Sequence, residues 1–216
     1  MPGKSQVRAA KKALYRELVL DAAERVFARA GYDDAKIEEI ARESGLSLGT
    51  VYSVFSGKAE VFRAVHELRD AELLRCGLEG TGGASDPLAA LLAGIRGYTA
   101  YFVAHPDFLR LSLREGTTWG AEGAGLQSRE RSEAWTRGVA MLSFALQRCI
   151  EAGLVHEGEP RLLARMMIAM QQVQLAHWLE SGLAEPGDAV VERICADARR
   201  FFGRRGVGAE PTRESA

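Results

Sequence analysis

Leu48, Gly49, Thr50, Tyr52, Ser53 and Val54 fall on the outer face of what the sequence spells as a short helix, and such a face can enter a DNA major groove. A second set of residues suits a different chemistry. Tyr98, Tyr101, Phe102, Phe108, Trp119, Trp135, Met166, Met170, Gln174, His177 and Trp178 mix apolar walls with a few polar groups, which is how pockets for small molecules are built. The same residues also suit a core, and most of them must serve one. No catalytic set accompanies them. His66, His105, His156 and His177 are scattered, with no i, i+4 or CxxC partner, so neither a metal site nor a cofactor is expected. Cys76, Cys149 and Cys195 are odd in number and far apart, which excludes a disulfide framework and suits a reducing cytosol. Oxidant sensing would need one of them as a low-pKa thiolate, whereas Cys195, among Val191, Ile194 and Ala198, reads as a small core residue.

The groove-facing set needs elements to present it, and these are legible around it. Ile37, Ile40 and Ala41 recur at i, i+3, i+4, and Gly45 follows where that helix must stop. Ser47 is placed to cap a second short helix by accepting from the amide of Thr50, and Val51 and Phe55 give that helix one buried edge. Two short helices about a glycine turn make a helix-turn-helix. Its support is a longer first helix over residues 7–30, with Leu18, Val19, Ala22, Ala23, Val26, Phe27 and Ala30 as an apolar stripe and Gly31 as the stop. A fourth helix is expected over 58–76, with Glu60 completing a capping box if Gly57 is the N-cap.

Residues 77–87 break every periodicity and mark a domain boundary; no strand precedes their glycines, so they are not a nucleotide loop. Beyond them the pattern predicts a helix over 88–104, ended by His105-Pro106, and a short one over 107–115. Residues 116–125 read as a loop that can move. Trp135, Val139, Leu142, Leu146 and Ile150 set a helix over 126–152, and Pro160 opens one running to Ser181. That eighth helix is apolar nearly all round, so something must cover both of its sides. The ninth, over 188–202, shows Val190, Val191, Ile194, Cys195, Ala198, Phe201 and Phe202 on one face, and 204–216 reads as a disordered tail.

Composition fits this outline. With 47% hydrophobic residues in 216 there is enough for a core, and a net charge of −1 leaves any basic footprint local. It is local: Lys4, Arg8, Lys11, Lys12 and Arg16 all precede the first acid, Glu17. That run suits either a phosphate-seeking arm or a frayed, solvated terminus. No secretory h-region follows it, and the uncharged stretch 166–179 is too short for a bilayer, so a cytoplasmic protein without membrane contact is expected.

The segment 20–62, LDAAERVFARAGYDDAKIEEIARESGLSLGTVYSVFSGKAEVF, closely resembles the DNA-binding domain of the tetracycline-repressor (TetR) family of transcriptional regulators. By that resemblance Leu48, Gly49 and Tyr52 become candidates for base edges, and Lys36, Thr50 and Lys58 candidates for phosphates. Two departures stand out: Leu48 replaces a frequent lysine, and Ser53-Val54 replaces a histidine-tyrosine pair before the phenylalanine. The family also implies a small-molecule effector, with Tyr101, Trp135, Met170, Gln174, His177 and Trp178 as the candidate lining. It further implies a homodimer formed through helices 8 and 9, facing an inverted-repeat operator in double-stranded DNA.

The expectation is therefore an all-α protein in two parts. Residues 1–57 form a three-helix DNA-binding head with a basic arm, and 58–203 a helical regulatory and dimerisation bundle with helix 4 as connector. Its function would be that of a repressor released by a small, mostly apolar ligand, with no enzymatic activity. The competing readings are a cysteine-based redox sensor and a helical enzyme or scaffold in which 33–62 is an ordinary αα corner.

Overall fold

A computed structural model describes residues 3–79, 81–84, 86–114 and 129–204, and the described residues are helical with one isolated antiparallel bridge, Val155 to Gly203. The helices are α1 (Lys4–Asp34), α2 (Ile37–Ser44), α3 (Leu48–Tyr52), α4 (Lys58–Leu78), α5 (Pro87–Ala104), α6 (Pro106–Arg114), α7 (Arg129–Glu151), α8 (Pro160–Glu180) and α9 (Gly187–Phe202), with a 3-10 turn at Thr81–Gly83. The loop expected at 116–125, Trp119 within it and nearly all of the tail expected from 204 lie outside the described residues.

The N-terminal unit forms for the local reasons its sequence gives. Gly31 interrupts α1 at φ 78°, in the left-handed region where a side chain is strained, and turns the chain into its last few helical residues. Gly45 ends α2 at φ 70°. Ser47 then caps α3, its Oγ accepting from the Thr50 amide at 3.1 Å. Ile37, Ile40, Ala41, Val51 and Phe55 bury their side chains with Val19, Ala22, Ala23, Val26 and Phe27 of α1. Two details differ from expectation. The basic N-terminus is part of α1, which extends back to Lys4. The Glu60 carboxylate closes on Ser56, accepting from its amide at 2.6 Å and its hydroxyl at 2.7 Å, because serine offers a second donor that glycine lacks.

Helix α5 organises the larger body. Among the described helices it is long and apolar enough to cross a membrane, yet it packs against α4, α6, α7, α8 and α9 and buries Leu88, Leu91, Ile95, Thr99, Tyr101 and Phe102. Its crossing with α4 brings backbone against backbone. A Cβ on Gly97 would stand 2.0 Å from the carbonyl oxygen of Cys76, and one on Gly94 3.1 Å from that of Gly77. Helix α9 spends Val190, Val191, Ile194, Cys195, Ala198 and Phe202 on the interior, while Phe201, expected on the same face, is exposed. A residue directly before Phe202 points a third of a turn away, and that rotation carries Phe201 to solvent.

Gly97→Ala is expected to force α4 and α5 apart and to destabilise the fold by about 1–3 kcal/mol, the usual cost of overpacking. A lowered midpoint in thermal or urea unfolding checks this; an unchanged midpoint would mean the crossing can relax freely.

Candidate functional site

Helix α3 presents its outer side to solvent. Leu48 is 37% exposed and Tyr52 49%, and Gly49 between them is exposed. Thr50 is half-buried, with its hydroxyl paired to that of Ser47 at 2.8 Å. Lys36 is exposed at the N-cap of α2. Val54 is not on this face. Helix α3 ends at Tyr52, and the chain turns inward after Ser53, so that Val54 joins the core.

Lys58 also departs from its expected role. Its Nζ donates to the carbonyl oxygens of Tyr32 at 2.7 Å, Asp33 at 3.0 Å and Ala35 at 2.9 Å, and lies 4.6 Å from the centre of the Tyr32 ring. An ammonium has three donors, and all are spent closing the end of α1, where carbonyls lack helical partners. It is a structural lysine and has no donor left for a phosphate. Further ion pairs hold the unit in register. Glu43 of α2 accepts from Arg25 at 2.8 Å and Arg29 at 3.0 Å on α1. Partial burial works against its charge, but these guanidinium bonds prevail and hold its carboxyl below the ordinary range. Arg16 lies over the Phe55 ring at 4.3 Å.

A polar cluster joins this unit to the body. Arg69 of α4 donates to Glu24 of α1 at 2.5 Å and to Glu72 of its own helix at 2.9 Å, and the Tyr101 hydroxyl of α5 donates to Glu72 at 2.7 Å. Glu24 is 7% exposed, in the middle of the apolar stripe of α1. Burial opposes the charge on Glu72, yet the bonds from Tyr101 and Arg69 hold its carboxyl below the ordinary range. Burial, followed by the bond to Glu72, pushes the Tyr101 phenol well above its usual range, so it remains a donor. Beside the cluster runs a chain of ring contacts: Phe102 on Phe108 at 5.7 Å, Phe108 on His66 at 5.8 Å, His66 on Phe62 at 4.7 Å and Phe62 on Phe27 at 5.0 Å.

A cavity of about 710 Å³ lies among α4, α5, α7 and α8. Leu73 and Leu74 of α4 line it, with Ile95, Tyr98 and Phe102 of α5, Trp135, Val139 and Leu142 of α7, and Ile168, Gln171 and Gln172 of α8. Such a volume accommodates a drug-sized molecule. Of the six residues expected to line a pocket, Trp135 does so. The others are engaged elsewhere. Tyr101 faces Glu72, Met170 borders a smaller hollow beside Phe202, and Gln174 is bonded to Arg193. Trp178 is buried with its indole N–H donated to the Glu185 carbonyl at 2.8 Å, and His177 is exposed. The polar ends of Tyr101, Gln174 and Trp178 each meet a partner that helical periodicity does not reveal. The residues missed, Gln171 and Gln172, did carry a signal, since adjacent amides inside an apolar helix call for polar company.

Among the described residues no group of histidine, cysteine and carboxylate side chains could hold a metal ion. Burial pushes the Cys149 thiol up to about 11 and the Cys195 thiol above its usual range, so neither offers a reactive thiolate near neutral pH.

The fold and these sites together define a helix-turn-helix head carried on a cavity-bearing helical body. Residues 19–65 match the model of the family described as bacterial regulatory proteins, tetR family. Over 50 residues, 23% of this chain, the sequence is 46% identical to the HTH-type transcriptional regulator SrpR of Pseudomonas putida, and that stretch spans 24% of the relative's length. It is 28% identical over 192 residues to the HTH-type transcriptional repressor SCO4008 of Streptomyces coelicolor, covering 86% of this chain and 94% of that one. The fold is similar to the transcriptional regulator FadR from Bacillus subtilis, solved in complex with stearoyl-CoA, with TM-score 0.70, 18% identity, and coverage of 83% of this chain and 95% of the other. The chain is thus similar to the tetR family of bacterial regulatory proteins, through residues 19–65 directly and through the repressor SCO4008 over most of its length.

Arg69→Met is expected to cost about 3–5 kcal/mol, because it leaves Glu24 buried without its counter-charge. Glu24→Leu combined with Arg69→Met is expected to recover most of that loss. A double variant no more stable than Arg69→Met alone in urea unfolding would count against the pairing.

Proposed function

We propose that the protein is a homodimeric transcriptional repressor that binds an inverted-repeat operator and is released from it by a small, mostly apolar molecule in the cavity. The observation that carries this reading is the pairing of an exposed α3 face with a cavity of about 710 Å³, the two joined by the half-buried Arg69 cluster. Leu48, Gly49 and Tyr52 reach base edges, and Thr50 and Lys36 hold phosphates. Residues 1–57 act as the head, and α4 connects it to the regulatory body. Leu162, Met166 and Val173 of α8 form an exposed apolar stripe, and Phe144 of α7 and Phe201 of α9 are also exposed. A second copy covering that surface makes the dimer, with α8 and α9 as its main elements. The protein acts in the cytoplasm, and on this reading it is not an enzyme.

Coupling follows from the cluster. Tyr98 lines the cavity, and Tyr101, one helical turn further along α5, holds Glu72, which holds Arg69, which holds Glu24 of α1. A ligand that favours another position of α5 therefore disfavours this position of α1, and operator and ligand each weaken the other's binding by the same factor. The FadR of Bacillus subtilis, similar in fold, was solved with a bound acyl-CoA, which supports a ligand site in the body. Selection of genomic DNA fragments on the purified protein at physiological salt tests the reading. It should enrich fragments sharing an inverted repeat; enrichment without a common sequence would overturn it.

At the operator, Lys36→Ala should flatten the dependence of log affinity on log salt by about 1, the slope of one phosphate contact, while Lys58→Ala lowers stability and leaves that slope unchanged. Equal slopes for Lys36→Ala and wild type would remove Lys36 from the interface. A leucine cannot donate to guanine, so Leu48 is expected at a thymine methyl. Uracil in place of that thymine should weaken wild type and not Leu48→Ala; equal losses would refute the contact. Light scattering at micromolar concentration should find a dimer, and a monomer there would contradict the proposed assembly.

A further inference from the structure

The most buried polar side chain lining the cavity is Gln171, which is 2% exposed, and bonded to it is Thr99, which is 0% exposed. Thr99 donates its hydroxyl hydrogen to the Ile95 carbonyl at 2.8 Å. A carbonyl only accepts, so that hydrogen is committed, and the threonine oxygen can only accept from elsewhere. It does so from Gln171 Nε2 at 3.3 Å. This fixes which way the amide faces: with its nitrogen turned to Thr99, the amide presents its carbonyl oxygen on the other side. That oxygen accepts no hydrogen bond from a described residue. The neighbouring Tyr98 hydroxyl is engaged with Gln172. The lining is mostly apolar, with Ile95, Ile168, Phe102 and Leu142 among its members, and also includes Asp70, Asp86, Ser112 and Arg148.

We infer that the cavity selects ligands with a neutral hydrogen-bond donor, a phenol, an alcohol or an amide N–H, on an apolar body, and that Gln171 Oε1 is the acceptor that reads it. This deepens the effector reading above and rests on it. A buried acceptor left unmatched costs free energy, so an ether of the same shape loses affinity. A carboxylate placed at Gln171 loses more, since its oxygens face the amide oxygen and its charge is desolvated there. Thr99 is a positioning residue: it touches the amide and not the ligand, and keeps the acceptor pointed inward.

The test is calorimetric titration of the full chain with 4-nonylphenol, 4-nonylanisole and 4-nonylbenzoate. Wild type should bind the phenol about three- to tenfold tighter than the anisole, the worth of one hydrogen bond, and the benzoate most weakly. Gln171→Met, close in volume, should bind phenol and anisole equally while keeping the wild-type affinity for the anisole. Thr99→Val, which frees the amide to turn its N–H toward an ether oxygen, should narrow the preference with no change in melting temperature beyond that of other single core variants. Equal binding of phenol and anisole by wild type, or a preference that survives in Gln171→Met, would overturn the donor rule and leave the effector cavity standing. Failure of all three compounds to bind would overturn the cavity reading and this inference with it.

Discussion

Arg69 can stay in its half-buried position only while its charge is met, because a guanidinium taken out of water without a partner is far costlier than any single packing contact. Its partners are Glu24 of α1 and Glu72 of its own helix α4, and Glu72 also accepts from Tyr101 of α5. Helices α1, α4 and α5 therefore meet in one polar cluster. Movement of any of them must either carry the cluster along or break it. Packed aromatic rings from Phe102 to Phe27 run beside it, and they resist small displacements for the same reason that cores do, since close packing leaves few intermediate positions.

The two ends of the molecule make different demands on that link. The head is closed by local devices: the Ser47 cap, the Gly31 and Gly45 turns, Glu43 on its two arginines, and Lys58 spent on the end of α1. These devices tie it into one unit, and it meets the body where α1 packs on α4 and α6. The body instead encloses open volume among α4, α5, α7 and α8, while α4 and α5 touch backbone to backbone at Gly97. Filling that volume acts on α5 a turn or less from Tyr101. Geometry thus makes α4 and α5, which both line the cavity, also the helices that hold the cluster.

The head was legible in the sequence because its determinants lie within a few residues of each other: Ile37 with Ile40 and Ala41, Ser47 with Thr50, Gly45 after α2. What failed there was a contact across the chain. Lys58 looks like an exposed lysine at a helix start until the end of α1 is brought beside it, 23 to 26 residues away in sequence. The cavity was less legible for the same reason. Tyr101, Gln174 and Trp178 are amphipathic residues on apolar helices, and whether they face a pocket depends on Glu72, Arg193 and Glu185, none of which shares their periodicity. Glu24 gave no warning at all, since an acid within an apolar stripe becomes intelligible only when Arg69, 45 residues on, is placed against it.

The most direct measurement of the link is the operator affinity of wild type and of Tyr101→Phe, each with and without saturating 4-nonylphenol. The substitution removes one hydroxyl, keeps the ring in place and leaves Glu72 on Arg69, so both operator and phenol should bind it nearly as they bind wild type. In wild type the phenol should weaken operator binding by a factor within the usual allosteric range of about 5 to 150, and the operator should weaken phenol binding equally. In Tyr101→Phe that factor should fall toward one. A variant that keeps the full wild-type factor would contradict the account, because the cavity would then be reaching the head by a route that does not pass through the Tyr101–Glu72 bond.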